Sequence, residues 1–373
     1  MIIKNAYVYK RDYKFHKKDI YIKEDRIIER PISDEEVIDA TDLYAIPGLT
    51  DIHFHGCMGY DFCDGTKEAF DAIAKYQGEN GITTICPATM TLPEDELTRI
   101  VEAAREYDNK EGAILAGINM EGPFISEKKK GAQNEKYIKN PDLEFYKRLQ
   151  ERSGNMIKLV AVAPEEEGGM EFISKVKDEV VPSIAHTRAD YDTAMEAFEK
   201  GAKHVTHFYN AMPPFLHRDP GVIGAASDTN HIYVELISDG VHIHPSVVRT
   251  TFRFMGQERM ILVSDSMMAT GMADGKYSLG GQEVILVGNK PRLALDGSIA
   301  GSATNLMDCM RIAVKDMGIP LETAVRAAAV NPAKAIGIFD DYGSIEPGKV
   351  ANIVLLDHEL NIKGVYIKGK RYI

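Results

Sequence analysis

Eight short apolar runs alternate with amphipathic helical stretches between two β-like chain ends. They predict an α/β fold: a (β/α)8 TIM-like barrel with a small β-sandwich domain formed from both chain termini. Strand followed by helix, repeated, is the pattern of parallel strands joined by helical crossovers, and about eight such units is the barrel count. A doubly wound open sheet is the alternative, but no Gly-x-Gly-x-x-Gly turn follows the first run. The expected division is residues 1–46 with 344–373 as the small domain, and 47–343 as the barrel.

Residues 2–9 and 19–28 have the texture of short strands, with residues 10–18 turning between them and Glu24-Asp25 marking another turn. The same texture returns from about Gly343 to Ile373. Neither end alone has enough strands to bury a face, so the two are expected to pair. In the middle, strands are predicted at 44–53, 83–87, 114–120, 157–163, 182–186, 204–208, 232–237 and 260–265. Helical periodicity falls on 67–79, 95–108, 143–152, 191–200 and 245–255. Residues 277–300 read as an inserted hairpin, and 303–317 with 321–329 as closing helices.

With 373 residues, an apolar fraction of 44% and a charged fraction of 27%, the composition is that of an ordinary globular enzyme with ample core. A formal charge of -12 argues against nucleic acid as a partner, and the short run Lys128-Lys129-Lys130 does not reverse it. No run of about 18 apolar residues is present to span a bilayer, and the first residues lack a signal-peptide pattern. The four cysteines have no Cys-x-x-Cys spacing. A cytoplasmic location, with no membrane partner, is the expectation.

The chemistry concentrates at the ends of the predicted strands. In Pro47-Gly48-Leu49-Thr50-Asp51-Ile52-His53-Phe54-His55-Gly56, the two histidines are two apart, so an extended backbone aims both imidazoles at one spot. Paired imidazoles suit zinc or another borderline divalent metal, with Asp51 placed to orient one ring. Glu121 follows the third strand, His186 and His207 end the fifth and sixth, His242 follows the seventh, and Asp265 ends the eighth. All would converge on the carboxyl face of a barrel, where such enzymes carry their active sites. A set of imidazoles plus carboxylates matches a catalytic metal site with an open position. Such a metal activates water and polarises a carbonyl, and Asp265 is the candidate to move the proton. Ser-His-Asp chemistry is the rival, but no Gly-x-Ser-x-Gly turn appears.

These residues resemble the amidohydrolase superfamily and, within it, the family of N-acetylglucosamine-6-phosphate deacetylases. The pattern Pro-Gly-x-x-Asp-x-His-x-His at 47–55 and the strand-end His and Asp are shared across the superfamily. Narrower matches are Glu121-Gly122-Pro123-Phe124, Gly131-Ala132-Gln133, His207-x-Tyr209-Asn210-Ala211-Met212, Arg218-Asp219-Pro220-Gly221, Asp239-Gly240-Val241-His242 and Ser298-Ile299-Ala300-Gly301-Ser302.

The resemblance implies hydrolysis of N-acetyl-D-glucosamine 6-phosphate to D-glucosamine 6-phosphate and acetate, in amino-sugar catabolism. It implies that Glu121, His186 and His207 hold a principal metal and that His53 and His55 hold a second. One or two ions are then bound per chain, zinc first, with iron, manganese or cobalt as alternatives. Asp265 would be the acid/base. His242, with Asp239, would meet the substrate, as would Asn210 and Ala211. His217 and Arg218 would meet the phosphate, and Ala132, Gln133, Ser298, Ile299 and Ala300 would line the sugar pocket. Many relatives use a carboxylated lysine after the fourth strand. This chain has Ala163-Pro164-Glu165 there, which leaves Glu121 to bridge. A homodimer is implied, with Arg218 serving its own or a neighbour's site. An N-acetylgalactosamine-6-phosphate deacetylase, a cyclic amidase or aminoacylase, and a non-catalytic scaffold are the alternatives.

Overall fold

The structure is a computed structural model that describes residues 1–30 and 36–373. Residues 31–35, within the expected small domain, lie outside the described residues. The middle of the chain is carried by eight parallel strands. They are labelled β1 (Leu49–Asp51), β2 (Ile82–Ile85), β3 (Ile118–Met120), β4 (Ile157–Val162), β5 (Val181–Ile184), β6 (His204–Val205), β7 (Tyr233–Ile237) and β8 (Met260–Val263). Strands β3 to β8 form one sheet in chain order, and β1 and β2 pair in another that also holds Ile114–Leu115. Nearly every residue in these strands is buried, as expected where helices cover a parallel layer.

Loop hydrogen bonds continue the order where the ladders stop. Between β2 and β3, the Asn119 N–H donates to the Pro87 carbonyl and the Thr89 N–H donates to the Asn119 carbonyl, both at 2.9 Å. Beyond the ends of β8 and β1, the Asp265 N–H donates to the His53 carbonyl at 2.9 Å and the His55 N–H to the Ser266 carbonyl at 2.7 Å. First and last strands are therefore tied at the level of the candidate site residues.

The crossovers are helical. Lys67–Glu79, Leu143–Arg152, Tyr191–Lys200 and Pro245–Met255 form where periodicity predicts, and Glu94–Glu106 within two residues of it. Thr66, Asp142 and Asp190 cap three of them by accepting N–H bonds from Ala69, Phe145 and Thr193. Two further helices, Gly169–Val176 and Gly221–Asp228, have no counterpart in the sequence reading. The first opens on Gly168-Gly169, which reads as a turn. The second is buried from Gly221 to Ala226 and so has no polar face to reveal a period.

The strand expected over 44–53 is two strands. Tyr44–Pro47 pairs antiparallel with Ile353–Leu356, while Leu49–Asp51 joins the parallel layer. The chain changes sheets at Gly48, where a Cβ would lie 2.1 Å from Thr83 Oγ1. Tyr44–Pro47 also pairs with Ile2–Tyr9, so strands from both chain ends share one eight-stranded sheet among the described residues. The far edge of that sheet returns to bridge Arg26 with Val350, so the ladder curls back on itself. In the inserted segment, Gly275–Leu279, Gln282–Val287 and Lys290–Leu293 form a three-stranded meander in place of the expected hairpin. Among the described residues, no helix is long and apolar enough to cross a membrane.

The buried Asp51 carboxylate accepts the Ser264 hydroxyl at 2.5 Å and locks β1 to the exit of β8. Ser264→Ala leaves that oxygen buried without its donor, so stability falls by about 1–3 kcal/mol. Urea unfolding of the variant against wild type measures the loss.

Candidate active site and metal centre

His53 and His55 stand just past β1, Glu121 directly follows β3, and His186, His207 and Asp265 each lie two residues beyond β5, β6 and β8. The last three leave their strands with left-handed backbone, at φ of 44°, 27° and 49°. Non-glycine residues adopt that region at a cost of about 1–3 kcal/mol, and it collects at functional sites. Here it turns three strand exits toward one point.

Glu121 lies at that point, and its two oxygens face different partners. Oε1 is 3.0 Å from His186 Nε2 and 3.2 Å from His207 Nε2, which are themselves 3.0 Å apart. Oε2 is 3.2 Å from His55 Nε2 and 3.5 Å from His53 Nε2. Asp265 Oδ1 completes the second group, 3.4 Å from His55 Nε2 and 3.8 Å from His53 Nε2. All six side chains are buried.

The donor set fits a metal on three counts. His186 Nδ1 donates to the Lys129 carbonyl at 2.8 Å, because a carbonyl can only accept, which leaves Nε2 to face Glu121. A lone pair 3.0 Å from a carboxylate oxygen repels it unless a proton or cation sits between. Secondly, His53 Nε2 and Glu121 Oε2 have no hydrogen-bond partner among the described residues although buried. Thirdly, ligand atoms of a tetrahedral zinc-type site lie about 3.3–3.4 Å apart, close to the spacings in both groups. His53, Glu121 and His207, and His53, His55 and Asp265, each bring ligand atoms within 4.8 Å of one another.

Electrostatics point the same way. Burial works against charge on His55, yet Asp265 and Glu121 hold its pKa up, to about 10. Burial pushes Glu121 up, but His53, His186 and His207 hold it well below the usual carboxylate range. Asp265, likewise pushed up by burial, is held down by His55 and His53. The carboxylates thus call for positive charge among the imidazoles, and a divalent ion supplies it by displacing protons.

Beyond these residues, two expectations change. Asp51 orients neither ring: it accepts the Ser264 hydroxyl and, at 3.3 Å, the His53 backbone N–H. The ring of His53 is instead held by Glu235 in the middle of β7, with Nδ1 2.7 Å from Oε2. The sequence reading missed Glu235, whose signal was a lone carboxylate inside the apolar run Tyr233-Val234-Glu235-Leu236-Ile237. Glu165, in the segment after β4, accepts the Thr187 hydroxyl and the Arg188 backbone N–H, both at 2.5 Å.

The site opens into a cleft of about 170 Å³. Of the expected substrate contacts, Ala132, Gln133, Asn210, Ala211, His242 and Ile299 line it. Gln133 Oε1 is engaged by the Thr91 N–H at 2.7 Å, and Asp239 accepts from His242 Nδ1 at 2.7 Å, which aims the other ring nitrogen away. Ala300 is buried beside the lining, while Ser298, His217 and Arg218 are exposed outside it. Met267 is buried in the packing around Met90 and Leu279. No lysine or arginine lines the cleft among the described residues.

The amidohydrolase family model matches residues 44–372. The chain belongs to the amidohydrolase family. An N-acetylglucosamine-6-phosphate deacetylase of Bacillus subtilis (strain 168) is 37% identical over 373 residues, spanning 97% of this amidohydrolase and 91% of the relative. An N-acetylgalactosamine-6-phosphate deacetylase of Escherichia coli O157:H7 is 32% identical over 327 residues, spanning 87% and 86%. Among solved structures, an aspartate-to-alanine variant of N-acetyl-D-glucosamine-6-phosphate deacetylase from Mycobacterium smegmatis, in complex with N-acetyl-D-glucosamine-6-phosphate, is similar with a TM-score of 0.93. It is 30% identical, and the match covers 100% of this chain and 99% of that one.

In this amidohydrolase, Glu121 faces both pairs of imidazoles, His186 and His207 through Oε1 and His55 and His53 through Oε2. Glu121→Gln is expected to weaken metal uptake at both, by more than the roughly 10–100-fold that outer partners of a metal site contribute. His55→Ala is expected to reach only the group it belongs to. Metal analysis of each variant after equilibration with zinc and gel filtration distinguishes the two patterns.

Proposed function

We propose that the chain hydrolyses N-acetyl-D-glucosamine 6-phosphate to D-glucosamine 6-phosphate and acetate, in cytoplasmic amino-sugar catabolism. The observation that carries the reading is the convergence of four imidazoles, Glu121 and Asp265 on one cleft, in a chain 37% identical to a deacetylase of that name. The eight parallel strands, joined in order and tied from β8 back to β1, are read as a (β/α)8 barrel with its site at the carboxyl ends. Residues 1–46 with 344–373 are read as the small domain.

Glu121, His186 and His207 would hold a principal divalent metal, and His53 and His55 a second, with Glu121 between them. Zinc suits this mixture of imidazole and carboxylate, as do iron, manganese and cobalt. A metal bound there supplies a Lewis acid for the acetamide carbonyl and lowers the pKa of water. Asp265, buried with Oδ1 toward His55, is the base that takes the proton of attacking water and returns it to the leaving amine. His242, fixed through Nδ1 by Asp239, presents its other ring nitrogen to the substrate. Asn210 and Ala211 would offer amide groups, and Ala132, Gln133 and Ser298 to Ala300 would bound the sugar.

The absence of lysine and arginine from the lining, among the described residues, leaves the phosphate without a cation inside the cleft. Arg218 and His217 lie on an exposed loop, where the Arg218 guanidinium donates to His217 Nε2. We assign the phosphate to them, in a homodimer where the loop of one subunit serves its own or the neighbouring cleft. The E. coli relative supports a second reading in which the substrate is the galactosamine epimer.

Acetate release from the two sugar phosphates, assayed side by side on chelator-stripped and zinc-restored protein, tests the function. Turnover that is lost on stripping and restored by zinc is expected, with the glucosamine substrate preferred. Asp265→Asn should keep fold and metal while kcat falls about 10²–10⁴-fold, and near-normal turnover removes Asp265 from its role. Arg218→Ala should raise KM for the phosphorylated sugar at least about tenfold, with little change in kcat. Equal turnover of unphosphorylated sugar by wild type would remove the phosphate role.

A further inference from the structure

Glu235 is the carboxylate that the proposed reaction leaves unused. It lies at the centre of β7 with no exposure, between Val234 and Leu236. Burying a carboxylate there is costly unless specific donors compensate it. Its Oε2 accepts two: His53 Nδ1 at 2.7 Å and the His207 backbone N–H at 2.9 Å. Its Oε1 faces His204 Nε2 at 3.6 Å, and neither atom has another partner among the described residues. His204 is anchored in turn through Nδ1 to Ser183 Oγ at 2.8 Å, and Ser183 to Thr206 Oγ1 at 2.6 Å.

We propose that Glu235 is a positioning residue that holds the two metal-type groups in register, by fixing the tautomer of His53 and the backbone of His207 with one oxygen. The inference rests on the metal reading of the site. A carboxylate only accepts, so His53 Nδ1 carries the proton and Nε2 is left to face Glu121 and Asp265. The same oxygen clamps the N–H of His207, whose ring faces the other oxygen of Glu121. At that residue φ is 27°, so the clamp restrains a backbone outside its ordinary range. His186 has its Nδ1 held by the neutral Lys129 carbonyl, and His55 Nδ1 and His207 Nδ1 have no hydrogen-bond partner among the described residues. Among the four rings, only His53 is oriented by a buried anion. Its charge raises the basicity of the His53 ring toward a cation.

Two variants separate the hydrogen bonds from the bulk of the side chain. Glu235→Gln can still accept from His53 and His207 with its carbonyl, whereas Glu235→Leu fills similar space and accepts nothing. Zinc titrations against a chelator, with cobalt-loaded protein followed by electron paramagnetic resonance for coupling between paired ions, give readouts independent of turnover. Wild type is expected to take up two zinc ions. Glu235→Leu is expected to lose about 10–100-fold in affinity at the His53 position and lose the cobalt coupling, while Glu235→Gln stays within several-fold of wild type.

Equal affinity at both positions in wild type and Glu235→Leu overturns the proposal. A wild type that binds no second metal overturns the reading beneath it, and the proposal falls with it. If the leucine variant does not fold, proton–nitrogen correlation spectra of the zinc-loaded wild type decide the matter. A protected Nδ1–H on His53 is expected, and an Nε2–H tautomer there refutes the proposal.

Discussion

Everything at the carboxyl end of the strands depends on one buried carboxylate with different neighbours on its two oxygens. Glu121 would be prohibitively costly to bury alone, because a charge removed from water must be matched by partners at contact distance. The chain supplies four imidazoles, two on each side. Their arrival explains features that otherwise look like local strain. β5 and β6 must end in left-handed turns for His186 and His207 to reach Oε1. The residue after Glu121 must be glycine, since φ is 81° and a Cβ would lie 2.1 Å from Thr91 Oγ1. Any side chain at 122 would move either Thr91 or the carboxylate.

The fold converts that local demand into rigidity through the join between β1 and β8. His53 and Asp265 come from opposite ends of the strand order, more than two hundred residues apart in sequence. Their approach depends on the Asp265 N–H bond to the His53 carbonyl and on the Asp51–Ser264 bond just below. Asp51 lies one turn of the pleat beneath His53, on the same side of an extended chain, so it acts on the strand and not on the ring. Burial raises its pKa to about 7, which is tolerable for a group whose work is to accept a hydroxyl. The apolar runs of β4, β7 and β8 surround this join with fully buried Val, Leu and Ile. Small displacements at the site therefore require repacking of a close-packed layer.

How much of this was legible in the sequence follows from the range over which each signal acts. His53 and His55 were legible because a period of two is local, and Glu121, His186, His207 and Asp265 because each ends an apolar run. The helix Gly221–Asp228 was not, since a helix buried on nearly every side has no amphipathic period. Gly48 hid a change of sheet inside what reads as one strand, because antiparallel pairing to Ile353–Leu356 is a contact across three hundred residues. Glu235 was hidden for the opposite reason: its neighbours in sequence are apolar, and its partners come from β1 and the loop after β6. Asp51 was assigned to the ring by proximity in sequence, when the nearest donor in space was Ser264.

Exposure divides the remaining residues. Around Glu121 and Asp265 the side chains are buried, so hydrogen bonds and charges there act in a lower dielectric and are worth more than at the surface. Met90, Leu279 and Ile299 keep that end of the cleft apolar on one side. His217, Arg218 and Ser298 stand in solvent, where a single ion pair is worth little. Under the proposed reading, the acetamide meets preorganised groups of one chain, whereas the phosphate must recruit a loop that gains strength only when something covers it. A second subunit laid over that loop would exclude water from Arg218 and raise the worth of its contact. On that reading the acyl end of the reaction is built by folding, and the phosphate end would be left to assembly.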